Sequence, residues 1–388
     1  MLAALVSIAA IWRSFKGGAL RKVWAAAGAV YGPAMAILIE LSWAPGGVIG
    51  AYPWALHAAA LAALIVVFAE RFARRDGEDR LRVSFAVMSA LSCLAFAFII
   101  VLSTTALTLA LAVTVVSAAA LDRQWNLKPL MYFIVVGVAV LGFRVMANPG
   151  SEFGRYGPLP EMLLAYGGTL AAFIAALILL RGLHRPAAQV VLDSAAWSTG
   201  GMLLSLLILR WIDVNAPVGS SDSHWSLGLI SAIWFGLAIA QLQRTGVGGL
   251  LRQVRWGLSG LFFLFGLGGV AMALTGANPL LNSLNYAAVL GHALINTLAA
   301  AYLLPGLVLL AGALRMRQLD KRIRLALAGA GGGLAAFWVI LAIRHFWQGA
   351  EVCQFIAVSG NRNSTATPSV CCWWARACSI SPSRGDPA

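Results

Sequence analysis

Charged side chains are scarce in this chain. Asp, Glu, Lys and Arg make up 11% of its 388 residues, against about 25% in soluble domains. With 60% of the residues hydrophobic, there is too little polar surface to cover a water-soluble globule, and a disordered chain is excluded on the same ground. Acidic residues are scarcer still, 14 against 28 Lys and Arg, which leaves a net charge of +14. Such an excess invites a nucleic-acid reading, and that reading stands or falls on where the charges sit. Cysteine is almost absent before residue 353: Cys93 stands alone, and Cys353, Cys371, Cys372 and Cys378 crowd the end. A disulfide-rich module and a C-x-x-C metal site are both excluded.

Catalytic signatures are missing too. No G-x-x-x-x-G-K-[ST], H-E-x-x-H, G-x-S-x-G or kinase set occurs. The glycine clusters Gly266–Gly269 and Gly329–Gly333 lie inside apolar runs rather than after a strand, so dinucleotide readings fail on context. The loops are too short to fold as a cofactor domain. No cofactor and no metal is expected, no catalytic residue is assigned, and the balance leans away from an enzyme.

What the chain does have is long apolar runs. A bilayer-crossing helix needs about 20 mostly apolar residues, roughly 17–25. That ruler gives spans near Val23–Leu41, Pro53–Ala69, Val83–Leu102, Thr104–Ala120, Pro129–Val145 and Glu161–Leu180. It continues with Ala188–Leu209, Leu227–Gln241, Trp256–Thr275, Ala287–Leu314 and Leu325–Ile343, the tenth kinked at Pro305. Met1–Trp12 is a twelfth apolar stretch too short to cross, read either as the end of a helix or as an interfacial segment. The fold class is an all-α polytopic membrane bundle of about 11–12 spans over 1–345, followed at 346–388 by an atypical polar, cysteine-rich tail, disordered or out of frame. Gly28–Gly32 and Gly329–Gly333 are small-xxx-small pairs and read as helix packing.

Alternate loops hold nearly all the positive charge: Arg13–Lys22, Arg71–Arg82, Arg123–Lys128, Arg181–Arg185, Arg244–Arg255 and Arg315–Arg324. The intervening loops carry only Arg144, Arg155 and Arg210 before the last span. Skipping or inventing a span would scramble this alternation, so it supports the count independently of hydropathy. Positively charged loops are retained in the cytoplasm, which predicts a multi-pass protein of the bacterial inner membrane with its basic loops cytoplasmic. The excess charge is then a topology signal facing anionic lipid. Bilayer and anionic lipid are the expected partners, nucleic acid is not, and protein partners are unassigned.

Several short motifs, in order, are similar to a known family. The first set is Leu121-Asp122-Arg123-Gln124-Trp125-Asn126-Leu127, Phe143-Arg144 and Asn148-Pro149-Gly150. The second is Gly276-Ala277-Asn278-Pro279-Leu280-Leu281, Asn296-Thr297-Leu298 and Ala301-Tyr302-Leu303-Leu304-Pro305. Together, over Val83 to Trp347, they resemble the bacterial predicted membrane proteins of domain of unknown function 2339. The resemblance implies a polytopic inner-membrane protein of unestablished activity and supplies no catalytic residues. It also implies a polar N-terminal segment and further apolar helices past Arg344-His345, so both ends of this chain read as incomplete.

Ionisable residues inside a membrane are costly and therefore suggestive. Asp193 shares a helix face with Gln189 and Trp197 and reads either as a substrate or cation site or as an ion pair with Arg181 and Arg185. His292 and Asn296, at i and i+4, are expected on one face, lining a pathway or bonding across helices. On the outer side Arg144, Glu152, Arg155 and Glu161 form one group and Arg210, Asp213, Asp222 and His224 another, with Arg344 and His345 at a third edge. Arginine forks suit phosphate, and ordinary solvated loop charge, the plainer reading, explains them too. The sequence thus supports transport or an envelope-associated role first, an enzyme acting on a lipid-linked envelope precursor second, and a structural membrane component third.

Overall fold

The computed structural model describes residues 2–246, 249–280, 289–292 and 295–348. Among them there is no strand, and the chain is a bundle of antiparallel helices joined by short turns. The helices are α1 (Leu2–Phe15), α2 (Arg21–Trp43), α3 (Pro45–Val48), α4 (Ala51–Asp76), α5 (Leu81–Val101) and α6 (Thr104–Trp125). After these come α7 (Leu130–Met146), α8 (Gly150–Tyr156), α9 (Leu159–Met162), α10 (Gly168–Leu179) and α11 (Pro186–Asn215). The last four are α12 (His224–Gln243), α13 (Leu250–Leu274), α14 (Leu304–Arg315) and α15 (Lys321–Gln348). Two π-helical turns, Leu163–Gly167 and Ala299–Leu303, lead into α10 and α14. Residues 346–348 close α15, and the rest of the tail read at 346–388 lies outside the described residues.

Among the described residues nine helices are long and apolar enough to cross a membrane, or ten if the bent pair α7–α8 counts as one span. Large side chains such as Val30, Leu41, Leu264, Leu325 and Ile340 stand more than half exposed along them. A continuous apolar exterior of that kind is a lipid-facing wall. The interior is packed with small residues instead: Ala58, Ala62, Ala118, Ala119, Ala176 and Ala301 are all essentially buried, which lets backbones approach closely as membrane helices do.

The difference from eleven or twelve spans has identifiable reasons. The apolar stretch at the N-terminus forms α1, 14 residues long, laid against α2 with its last turn at the basic end. A Cβ on Gly28 would stand 2.8 Å from Ile11 Cγ1, so this glycine sets how close α1 comes. In α15 the close approach is made by Gly331 against the backbone of Gly306, while Gly329 and Gly333 face open space, so that expected pair is not the packing seam. In the expected span Ala287–Leu314, helix among the described residues begins at residue 297, and Gly291 pairs with Asn296 in an antiparallel bridge.

Element order and packing recur. In one unit α6 and α7 form a hairpin, a broken segment follows, and α10 and α11 form a second hairpin with α10 packed on α6. In the next, α12 and α13, a break, then α14 and α15 follow the same order with α14 packed on α12. The helices α1, α2, α4 and α5 repeat the order with a shorter break at 44–50. Each unit has four principal helices, and the first of each, α1, α6 and α12, runs toward a basic end.

The basic ends are fastened by arginines. Arg82 opens α5 and forms a bidentate pair with Asp76 while donating to the carbonyl of Ser14 at 2.9 Å, and it lies over the Phe72 ring at 4.6 Å. Arg185, just before α11, donates Nε and Nη2 to Asp122 at 2.8 Å each and Nη2 to Asn126 Oδ1 at 2.7 Å. Asn126 itself ends α6 in the left-handed region (φ 52°), a conformation asparagine tolerates well. Between α4 and α5, Asp79 takes a hydrogen bond from Lys22, which with the nearby positive charge holds its carboxyl below the usual range. A carboxylate depressed in this way favours the folded state above its unfolded pKa, and the contribution is lost as pH falls through the folded value.

Side-chain exposure at Asp122 and Arg185 is 0% and 3%, so cutting one partner strands a buried charge. Asp122→Ala should lower stability by about 3–5 kcal/mol, read as thermal unfolding of the purified protein in detergent. The Asp122→Leu/Arg185→Leu double variant should recover most of that loss. A single variant that melts like wild type would show the pair to be dispensable.

Candidate functional site

Interruptions of the helices are where this bundle departs from the cheapest way of crossing a bilayer. A backbone that leaves the helix inside an apolar slab exposes N–H and C=O groups which must be satisfied by protein. Ala147-Asn148-Pro149-Gly150 follows α7, and Ala277-Asn278-Pro279-Leu280 follows α13. At the first, α8 leaves α7 at an angle of 55°. Proline lacks the N–H a helix needs, so neither helix continues through it.

Each break is held by a buried tyrosine on the π-turn that follows. The Tyr166 hydroxyl donates to the carbonyl of Gly150 at 2.6 Å and lies 3.2 Å from that of Val145. The Tyr302 hydroxyl donates to the carbonyl of Ala273 at 2.6 Å. Tyr166 and Tyr302 are 1% and 0% exposed. At the second break Asn278 Nδ2 donates to the Leu274 carbonyl, and its Oδ1 accepts from the Leu280 N–H, each at 2.9 Å. Gly228 on α12 makes room for the second π-turn, because a Cβ there would collide with the backbone of Ala301.

Arginines complete the first break. Arg210 donates Nη1 to the Gly154 carbonyl at 2.8 Å and Nη2 to that of Gly157 at 2.6 Å. Arg155 makes a bidentate pair with Asp213, Nε–Oδ2 3.0 Å and Nη2–Oδ1 3.2 Å, and also donates to Ser221 Oγ. Arg155, Arg210 and Asp213 are therefore brought together, around α8. Arg144 lies elsewhere, donating to Thr108 Oγ1 at 3.0 Å and the Thr104 carbonyl at 2.9 Å, with Glu161 accepting from Thr105 nearby. Glu152 and Asp222 are exposed. His224 is buried at the start of α12 with Nε2 3.2 Å from Thr297 Oγ1, and its Nδ1 has no partner among the described residues. All three outer arginines spend donors on the chain itself, Arg155 and Arg210 around the break and Arg144 on the start of α6, rather than offer free forks to a phosphate.

Two expectations are corrected here. His292 and Asn296 do not share a helix face: Gly291 bridges to Asn296 and the His292 N–H donates to the Ile295 carbonyl at 3.1 Å, with His292 exposed and Asn296 buried. Asp193 does sit in an ion pair, but not with Arg181 or Arg185. Arg244 donates Nη1 to both its oxygens at 2.8 and 2.9 Å, and Arg255 donates Nη2 to Oδ2 at 3.1 Å. Arg244 also lies 4.7 Å over the Trp197 ring. This triad, with Ser194 donating to Gln241, ties α11 to α12 and α13 and so joins the second unit to the third. Arg185 is occupied by Asp122, and Arg181 points into solvent.

Tyr166 and Tyr302 escaped sequence reasoning, which looked for ionisable groups. The signal was there as the repeated Ala-Asn-Pro, each followed in the next apolar run by one tyrosine. Among the described residues no three His, Cys, Asp or Glu side chains converge as a metal site requires. The family model described as Predicted membrane protein (DUF2339) matches residues 1–367, beyond the Val83–Trp347 stretch that the motifs cover. No curated protein and no solved structure matches the chain.

Tyr166→Phe and Tyr302→Phe each leave a buried carbonyl without its donor. Each should lower stability by about 1–3 kcal/mol, measured as thermal unfolding in detergent. Wild-type melting in both would mean that the breaks are held by something other than the hydroxyls.

Proposed function

Given that this chain belongs to the DUF2339 family of predicted membrane proteins, whose name assigns no activity, we propose that it is a transport protein of the bacterial inner membrane serving the cell envelope. The observation behind this reading is the pair of Ala-Asn-Pro breaks, one inside the bent span α7–α8 and one just past the full-length span α13, in corresponding positions of two units with the same helix order. Repeats built of even numbers of helices, with interrupted spans at matching places, are how many transporters form a substrate path at their interface. Backbone groups freed in an apolar setting cost several kcal/mol unless protein replaces the lost hydrogen bonds, and here two tyrosines and Arg210 do so. A bundle whose only task was to fill the bilayer needs neither break. The commitment of Arg144, Arg155 and Arg210 to the chain disfavours an enzyme gripping a lipid-linked phosphate.

The basic loops are placed in the cytoplasm on the retention rule. The breaks then open toward the periplasm, where an envelope precursor or solute would be released or captured.

Two measurements test this. A cysteine placed at Arg74, on a cysteine-free background, should react with a membrane-impermeant maleimide only after cells are lysed. Labelling of intact spheroplasts would reverse the orientation. Solute profiles of cells and medium, taken by mass spectrometry from a deletion strain, should differ from wild type and be restored by the intact chain but not by the Tyr166→Ala/Tyr302→Ala variant. A deletion strain with unchanged solutes and an altered envelope glycan would replace transport with the enzyme.

A further inference from the structure

The apolar groove between α1 and α4 at the basic end has a chemistry that neither the transport reading nor the family match addresses. Its volume is about 380 Å³. Three cations stand at its mouth: Lys16 one residue past the end of α1, and Arg71 and Arg75 one turn apart on the last part of α4. None of the lining residues is acidic. The acids closest in sequence are engaged elsewhere, Glu70 with Arg74 and Asp76 with Arg82. Two of the cations are held in place by rings: Arg75 lies 5.8 Å over Phe15 and Lys16 lies 5.9 Å over Trp12.

The groove changes character with depth. Both helices run toward the basic end, so residues earlier in each lie deeper in the apolar slab. Phe68 is one turn inward of Arg71, and Ile8 and Ile11 lie inward of Lys16. The site therefore has a tripositive rim and a wholly apolar floor that continues toward the lipid-facing surface. A free phosphate would use the rim and leave the floor empty. A neutral lipid would use the floor and leave three cations without a counter-charge. An anionic phospholipid satisfies both at once: phosphate against the guanidinium and ammonium groups, which suit it by charge-assisted bonding, and acyl chain against Ile8, Ile11 and Phe68. We infer that this groove is a binding site for one anionic phospholipid molecule of the leaflet on the basic side.

The inference does not depend on transport. It is read by native mass spectrometry of the full chain, purified in detergent and exchanged with an equimolar mixture of phosphatidylglycerol and phosphatidylcholine. Wild type should retain one phosphatidylglycerol selectively, and Lys16→Gln/Arg71→Gln/Arg75→Gln should weaken that retention about 100-fold, since each basic residue near the surface contributes roughly fivefold. Equal retention of the two lipids, or unchanged retention by the triple variant, overturns the site. Inorganic phosphate in excess should fail to displace the lipid, and displacement would assign the rim to a free anion instead. Should the triple variant not fold, Trp12 reports on the same groove in the otherwise unaltered chain: phosphatidylglycerol with brominated chains should quench the part of the emission that Trp12→Phe removes, whereas brominated phosphatidylcholine should not. Equal quenching by both overturns the site.

Discussion

A backbone immersed in hydrocarbon has no water to fall back on, and this one requirement organises the molecule. It favours the helix for long apolar runs, because the helix pairs its own N–H and C=O groups. It also explains why polar side chains cluster at a few places. Where α7 and α13 end at an Asn-Pro pair, the freed carbonyls are met by Tyr166, Tyr302, Asn278 and Arg210. Within the slab, side-chain hydroxyls are folded back onto their own helices, as Thr169 does to Ala165 and Ser231 to Leu227. The interior is consequently sealed by hydrogen bonds that cost the chain little, and by alanine and glycine that bring helices close.

Charge obeys a second version of the same rule. Taking an ion out of water is expensive, and it is tolerable here only with an opposite charge in good geometry. Arg82–Asp76 and Arg185–Asp122 are bidentate, nearly fully buried and placed where helices emerge at the basic end. They act as clasps that fix the turn of one hairpin against the end of another helix. Asp193 is shared by two arginines, so that cluster keeps one net positive charge at the level of the headgroups. Stacked rings beneath the guanidinium groups, Phe72 under Arg82 and Trp197 under Arg244, supply a second contact that survives burial.

Much of this was legible in the sequence, for physical reasons that differ from element to element. Class and crossing order follow from apolar length and from the alternation of basic loops, two signals set by lipid and therefore independent of tertiary detail. The close hairpin at Ser103, with almost no turn residues, was readable because removing it would break the alternation. What stayed hidden was anything decided by contact between distant segments. The partners of Asp193 lie 51 and 62 residues away, beyond the reach of a helix-face argument that proposed the nearer Arg181 and Arg185. His292 and Asn296 have helical spacing in an apolar stretch, yet Gly291, with φ of 104°, turns the chain before any helix can start. In α15 three consecutive glycines make several spacings look alike, and only the neighbouring helix selects Gly331. The buried tyrosines carry no charge and so gave no alarm, although each hydroxyl meets a carbonyl that the break leaves without a helical donor.

The clasp at Asp193 has a temporal side. Ribosomes add about 5–20 residues each second, so roughly 3–12 s separate the synthesis of Asp193 from that of Arg244 and Arg255, 51 and 62 residues on. During that interval the carboxylate on α11 has no counter-ion in its own hairpin. A charge without a partner resists entering hydrocarbon, so α11 is held near the aqueous boundary until the third unit emerges and brings its arginines. The order of synthesis thereby becomes the order in which this clasp can close.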